Sequence, residues 1–392
     1  MIKVILNPKQ EEHIIQGNSW IFNEQIQKID GAYNPGDIAD VVSSEKQFLG
    51  RGYINPNAHV AVRLLTRKEE PVNKDFFTKR IRQAIYLRRK LINADTNIYR
   101  LIFSESDFLP GLIVDVYGEY CVIQTLSLGV ERRLDLIIDI LQEFLNPKGI
   151  YLRNDTPARI KDGLLLEKKI VKGKFSRLIQ ARENGINFLV DIENGQKTGF
   201  YIDRRNSRMF LKQNLKDRKV LDCFCYNSAF GVYAAVSGAE YVLGIDISAH
   251  ALKQASDNMQ ANKISQKRYK FVESNVFDSL KSLSKKNEKF DVIILDPPGF
   301  SASKNKINAS WRSYRELHQK AVGLLNRNGM LISSCSSAQF DDDVFKKMIS
   351  DSAAVQGRMV RQLGQAVQSL DHPGLLNKKE TLYFKCLFFE VI

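Results

Sequence analysis

From about residue 185 onward, short apolar runs alternate with amphipathic segments, and no other feature constrains the fold of this chain as tightly. The apolar runs fall at 220–224, 241–245, 269–273, 292–295, 330–334, 359–363 and 382–389, and residues 249–261 and 311–325 carry helical spacing between them. Strand–helix alternation needs crossover connections, and crossovers build a parallel sheet. Only a loop separates the last two runs, which predicts an antiparallel hairpin at one edge. The expected fold is therefore a Rossmann-like α/β domain with a seven-stranded, mostly parallel sheet.

In an open parallel sheet, ligands bind in the crevice at the carboxyl ends of the strands. Two runs end there in groups capable of chemistry. Asp296-Pro297-Pro298-Gly299-Phe300 follows the run 292–295, and Cys335 sits in Ser333-Ser334-Cys335-Ser336-Ser337 after 330–332. A thiol can add to a ring carbon of a heterocyclic base while a carboxyl group manages a ring nitrogen.

The run 220–224 leads into Cys225-Tyr226-Asn227-Ser228-Ala229-Phe230-Gly231, a turn and a helix start. A nucleotide-type ligand sits over that turn in doubly wound folds. There is no G-x-G-x-x-G, which argues against NAD and against a P-loop. Asp246 ends the next strand about twenty residues on, where an acid can accept from both ribose hydroxyls. Together these features favour an adenosyl cofactor without phosphates, S-adenosylmethionine. Upstream, Gly195-Gln196-Lys197-Thr198-Gly199-Phe200-Tyr201-Ile202-Asp203-Arg204 is dense in polar and aromatic residues. A loop entering a helix at Asp203 can place backbone amides and Thr198 against the methionine carboxylate. A helix cap with a salt-bridged surface is the alternative reading.

The front of the chain differs in pattern. Residues 1–66 carry short apolar runs broken by Asn34-Pro35-Gly36-Asp37 and Asn55-Pro56-Asn57, which predicts a small, mostly β domain. Residues 67–100 hold ten Lys/Arg against four acids, with Phe76, Phe77, Ile81, Ile85 and Leu91 at roughly helical spacing. This basic amphipathic helix either presents a solvated face or faces RNA. Residues 101–180 read as an α/β unit. The expected domains are 1–68, 69–184 and 185–392. A net charge of +14 favours a polyanionic partner, nucleic acid first. The five cysteines have no zinc-site spacing; Cys335 apart, they read as core, with Cys223 and Cys225 in one apparent strand. Met1-Ile2-Lys3-Val4 lacks the apolar core of a signal peptide, and no apolar run approaches the ~20 residues of a membrane helix. The expectation is a cytoplasmic protein with neither metal nor membrane partner; the sequence leaves a homodimer open.

Read together, several of these motifs resemble one family. Gln196–Arg208, Leu221-Asp222-Cys223-Phe224, Asp296-Pro297-Pro298, Ser334-Cys335-Ser336 and Asp371-His372-Pro373 are similar to the bacterial 23S rRNA (cytosine-C5)-methyltransferases that carry an amino-terminal PUA domain. Gly17-Asn18-Ser19-Trp20-Ile21-Phe22, Pro35-Gly36-Asp37 and Phe48-Leu49-Gly50-Arg51-Gly52-Tyr53 resemble the PUA module, and residues 107–115 its central domain. The resemblance implies a β-barrel-like PUA domain, a central α/β domain and a class I methyltransferase domain. It implies S-adenosylmethionine as cofactor, S-adenosylhomocysteine as product and large-subunit rRNA as substrate. Cys335 would be the nucleophile at C6 of cytosine and Asp296 the group that holds the base. Cofactor binding would fall to Lys197, Thr198, Gly199, Phe200, Asp222, Phe224, Tyr226, Asp246, Ile247, Asn275, Val276, Asp296 and Pro297. The chain departs from the family pattern at Ser228-Ala229, where two glycines are usual, at Asn275, where an acid is usual, and at Gly299, where Lys is common. His372 reads either as an accessory group or as a structural turn, and Trp20 as core or as a stacking surface. The runner-up activity is methylation of an exocyclic amine on rRNA, which needs no thiol. A third reading is a catalytically idle rRNA-binding or assembly protein.

Overall fold

The computed structural model describes residues 2–212, 215–299, 307–336 and 340–392. The chain forms two compact units. The first comprises Met1–Asn184, Val190–Ile202 and Leu370–Thr381; the second comprises Gly185–Leu189, Asp203–Ser369 and Leu382–Ile392.

The first unit contains two sheets. Strands β1 (Lys3–Leu6), β2 (Trp20–Phe22), β3 (Ile26–Asp30), β4 (Ile38–Val42), β5 (Phe48–Ile54) and β6 (Val60–Thr66) pair in the order β2-β6-β5-β4-β1-β3. All these pairs are antiparallel except β1 with β4. Strands β7 (Ile98–Phe103), β8 (Leu112–Tyr117), β9 (Tyr120–Thr125), β10 (Gly149–Asn154) and β11 (Glu167–Gly173) form a second sheet in the order β11-β10-β9-β8-β7. Tyr53 and Leu65 of the first sheet pack in the core of the second with Leu101 and Leu112, so the two share apolar surface. The helix Lys74–Leu91 begins at Asn73, whose side chain caps the Phe76 amide, and buries Phe76, Phe77, Ile81 and Ile85. Two cations of the basic stretch are structural. Arg88 is buried, forms a bidentate pair with Asp107 and donates to the Arg100 carbonyl, while the Arg100 side chain pairs with buried Asp115.

Two short strands follow, β12 (Ile179–Glu183) and β13 (Ile186–Val190). The second unit is then built on β14 (Lys219–Cys223), β15 (Tyr241–Asp246), β16 (Tyr269–Glu273), β17 (Phe290–Leu295), β18 (Leu325–Cys335), β19 (Val360–Val367) and β20 (Lys385–Val391). Their order is β16-β15-β14-β17-β18-β20-β19. The first four neighbour pairs are parallel, and β20 is antiparallel to both β18 and β19. The hairpin edge is thus present, with its second strand inserted between the first and the parallel set. The apolar runs of β14 and β17 are buried because helices cover both faces of such a sheet.

Three local readings need correction. Phe224 is not the end of a strand: its φ is +60° and it opens the turn. Cys225 therefore lies beyond β14, although it and Cys223 are both buried. Strand β19 runs to Val367 because its pairing with β20 continues to Lys385, holding an exposed segment that has little apolar signal of its own.

Candidate active site

The parallel register brings three strand ends level. Cys223 of β14 lies opposite Leu295 of β17, and Leu295 lies opposite Ser333 of β18. Asp296 follows Leu295 directly, and Cys335 is the last residue of β18. The carboxylate and the thiol expected from sequence thus emerge from adjacent strands at the ligand-binding edge.

Arg204 organises this edge. Its side chain is 5% exposed. One Nη donates to Asp203 Oδ2 at 2.5 Å, the other to Ser336 Oγ at 2.8 Å, and Nε lies 3.4 Å from Asp296 Oδ2. The guanidinium packs 4.1 Å from the centre of the Phe384 ring. Tyr383 donates its hydroxyl to Asp203 at 2.8 Å, and Ser334 donates to the other oxygen of Asp296. Both Asp296 oxygens are thereby oriented by donors, and a buried cation balances the charge.

Cys335 is fully buried. Burial pushes the Tyr314 phenol well above its usual range, with Cys335 and Asp296 adding to the rise. One turn further along the same helix, Ile307–Leu324, buried His318 lies 2.6 Å from the Tyr314 carbonyl through Nδ1 and 2.7 Å from Ser333 Oγ through Nε2. A carbonyl only accepts, so Nδ1 carries the proton and Ser333 donates to Nε2. Burial lowers the His318 pKa to about 4, which keeps the ring neutral at ordinary pH.

At the carboxyl end of β14, Phe224, Tyr226 and Ser228 all have left-handed φ, between +50° and +60°. Asp222 is buried, and its Oδ2 accepts from the Ser228 hydroxyl at 3.0 Å and the Gly231 amide at 3.1 Å, so it braces the turn. Burial lifts its pKa to about 7, and the charges of Asp296 and Asp246 push the same way. Gly231 has no room for a side chain: a Cβ would sit 2.2 Å from Ser228 Oγ. Asp246 accepts from the Tyr226 amide on one oxygen (2.9 Å) and from the Ser248 amide on the other (3.0 Å). A carboxylate offers about four lone-pair sites, so both oxygens can accept again. Ile247 beside it is 72% exposed, an apolar side chain held in solvent at the strand end. Asn275 is exposed and caps the helix Val276–Lys285 by accepting from the Phe277 amide, and Val276 is buried behind it. The buried Asn227 Nδ2 has no partner among the described residues. A diol acceptor, an exposed apolar platform and an unused buried donor around one turn fit an adenosyl group.

Sequence comparison decides the family. Residues 169–366 match the model of S-adenosylmethionine-dependent methyltransferases, and residues 4–67 match a PUA-like domain. The chain is 36% identical to ribosomal RNA large subunit methyltransferase I of Salmonella arizonae over 98% of its length and 96% of that protein's. It belongs to this methyltransferase family. The protein of the same name from Pseudoalteromonas atlantica is also 36% identical, covering 100% of this chain and 99% of its own. That of Alteromonas mediterranea is 34% identical over 99% and 98%. Among solved structures, a methyltransferase complexed with SAH superposes at a TM-score of 0.85 with 22% identity, each chain covered completely. A SAM-dependent methyltransferase structure from Streptococcus mutans gives 0.83 with 23% identity. At those identities the likeness is one of fold.

Within this methyltransferase, Asp222, Phe224, Tyr226, Asp246, Ile247, Asn275, Val276, Asp296, Pro297 and Cys335 all lie in the second unit, at or just beyond the carboxyl ends of β14 to β18. Lys197, Thr198, Gly199 and Phe200 lie in the first unit. There, buried Thr198 donates its hydroxyl to Asp115 at 2.6 Å and is 2.7 Å from the Tyr117 hydroxyl. That hydroxyl is committed to the loop's own support. Gly199, at φ +131° and with a Cβ position 2.8 Å from Val190, admits only glycine; Lys197 is exposed and Phe200 buried. His372 is also in the first unit, buried, with Nδ1 3.2 Å from Asp371 Oδ1. Trp20 is half-buried, donates to Glu105 at 2.7 Å, and has Lys378 Nζ 3.3 Å from its ring centre. Phe300 and Ser337 lie outside the described residues. Sequence reasoning assigned no role to Arg204, Tyr314 or His318. For Arg204 a signal existed in the dense polar run before the first strand; a Tyr and a His four apart in an ordinary amphipathic helix give none.

Among the described residues, no group of three or more His, Cys, Asp and Glu is arranged to hold a metal ion, and no helix is long and apolar enough to cross a membrane.

Proposed function

We propose that the protein methylates C5 of a cytosine in large-subunit ribosomal RNA, through a covalent bond from Cys335 to C6 of the base. The observation that carries this reading is the thiol and the carboxylate on adjacent strand ends, beside a buried arginine. The relatives' shared name supplies the substrate class. Bound S-adenosylmethionine supplies an electrophilic methyl group; Asp246 would hold its ribose and Ile247 the adenine face.

Cytosine C5 is a weak nucleophile. Attack of the Cys335 thiolate on C6 makes C5 enamine-like, and C5 then takes the methyl group. Loss of the C5 proton and elimination of the thiol restore the aromatic ring and the free enzyme. The base must leave its stack to reach the strand ends, where Asp296, oriented by Arg204 and Ser334, would accept from the exocyclic amine beside N3. Cys335 is fully buried, so base entry must uncover it.

The test is methyl transfer from labelled S-adenosylmethionine to unmodified rRNA by wild type and Cys335→Ala, followed by nucleoside mass spectrometry. 5-Methylcytidine from wild type alone is the expected result. Transfer that survives loss of the thiol would overturn the covalent reading in favour of an amine acceptor, and no transfer at all would favour a binding protein.

A further inference from the structure

The first unit contains a pocket of about 510 Å3 that has no part in the chemistry above. It lies between the end of β6, the exposed face of the helix Lys74–Leu91 and the turn before β8. Its floor includes Phe76 and Leu64, both buried, and its rim carries Arg67, Lys68, Lys79 and Arg80. Phe76, Lys79, Arg80 and Gln83 share one helix face by their spacing.

Two features single the pocket out. Phe108 is 51% exposed and held at φ +57°, a left-handed conformation unfavourable for a bulky side chain. Folding gains little from an aromatic ring placed this way. The Arg80 guanidinium lies 5.1 Å from the Phe108 ring centre and 5.2 Å from that of Phe76, so a cation bridges a buried ring and an exposed one. The charge is also one-sided. Among the described residues, none of the four rim cations has a carboxylate within ion-pair distance, whereas both pocket acids are engaged: Glu70 accepts from Thr66, and Glu105 accepts from Trp20 and lies 3.5 Å from Arg63. An exposed ring with a guanidinium beside it, rimmed by unpaired cations, is complementary to an unpaired nucleotide: base on the ring, phosphates on the rim.

The geometry points to this pocket as a docking site for single-stranded RNA, with an unpaired base stacked on Phe108 and Arg80 and the flanking phosphates held by Arg67, Lys68 and Lys79. This inference rests on the rRNA reading above and names a second contact with the same substrate, away from the reacting base.

The experiment is fluorescence anisotropy of end-labelled oligouridylate with the full chain over a range of salt, alongside methyl transfer to deproteinised rRNA. Phe108→Ala should weaken oligouridylate binding about five-fold or more with an unchanged salt slope, because stacking releases no counterions. Phe108→Trp should restore binding. Arg67→Gln with Lys79→Gln should reduce the log–log salt slope by about 1.4. Phe108→Asn removes the ring while tolerating the left-handed backbone, and serves if the alanine variant folds poorly. In the transfer assay, Phe108→Ala should raise KM for rRNA and leave kcat unchanged. Wild-type affinity in both ring-less variants would overturn the pocket while wild-type transfer keeps the rRNA reading intact. Equal loss of duplex RNA binding would overturn base stacking. Failure of the wild type to bind or methylate any RNA would remove both.

Discussion

Arg204 is the residue on which the arrangement at the strand ends depends. One guanidinium serves Asp203, Ser336 and Asp296 from a buried position, and a lysine presents a single point of charge that cannot reach all three. Arg204→Lys is expected to lower kcat at least ten-fold with little change in S-adenosylmethionine affinity, as read by single-turnover kinetics and calorimetry. Cys335 gives a second expectation. A fully buried thiol alkylates slowly, so iodoacetamide labelling of the Cys335 peptide should be slow in the folded protein and reach the rate of an ordinary thiol in denaturant. His318 behaves as a neutral strut. Its folded pKa, about 4, lies below the ordinary value of 6.5, so between these values the unfolded chain binds the extra proton. Stability therefore rises with pH across that window and is lost as pH falls through about 4, an effect on the order of 3 kcal/mol. His318→Gln should flatten this part of the stability profile in chemical denaturation.

At the scale of an element, the turn after β14 shows how a strand end is braced without the two adjacent glycines. Ser228 holds φ +52°, which costs a non-glycine residue about 1 kcal/mol, and regains a hydrogen bond to Asp222 of similar size. Ser228→Gly should therefore be nearly neutral in stability. Gly231→Ala is the opposite case, because the new Cβ meets the Ser228 hydroxyl, and it should loosen the turn and weaken cofactor binding. Asp222 links the turn to pH. Its pKa is raised from 3.8 to about 7 by burial, so between these values the folded state holds a proton that the unfolded chain has released. Stability falls as pH rises through that window and levels off above it. Asp222→Asn should abolish the decline, as measured by Tm from pH 5 to pH 8.

The whole molecule joins segments that are distant in sequence. Residues Leu370–Thr381 lie between β19 and β20 yet belong to the first unit. There the Asp371 carbonyl accepts from Arg88 at 2.9 Å and its carboxylate from the Arg100 amide at 2.8 Å. Asp371→Ala leaves that amide unpaired and should destabilise the first unit by about 1–3 kcal/mol, followed through Trp20 fluorescence in a Trp311→Phe background. The charge of +14 also acts at this scale. Contact with five RNA phosphates would give a log–log salt slope of about −3.5, and a salt-independent affinity would contradict an electrostatic RNA surface.

Much of this was legible in the chain. Local periodicity marked the strands of the second unit, and the residues that close β17 and β18 had to stand at the ligand edge because parallel strands all end there. Asp296 and Cys335 could thus be placed at adjacent strand ends from sequence. The partners that tune them could not. Arg204, Tyr314 and His318 reach the edge from a segment before β14 and from a helix between β17 and β18, and only packing sets their distances. Tertiary structure likewise committed the Thr198 hydroxyl to Asp115, paired Arg88 with Asp107 in the core and returned residues 370–381 to the first unit. Secondary structure follows from neighbours a few residues apart, which the sequence displays. A buried charge or hydroxyl takes its role from whichever group comes within hydrogen-bond reach once the chain has closed on itself.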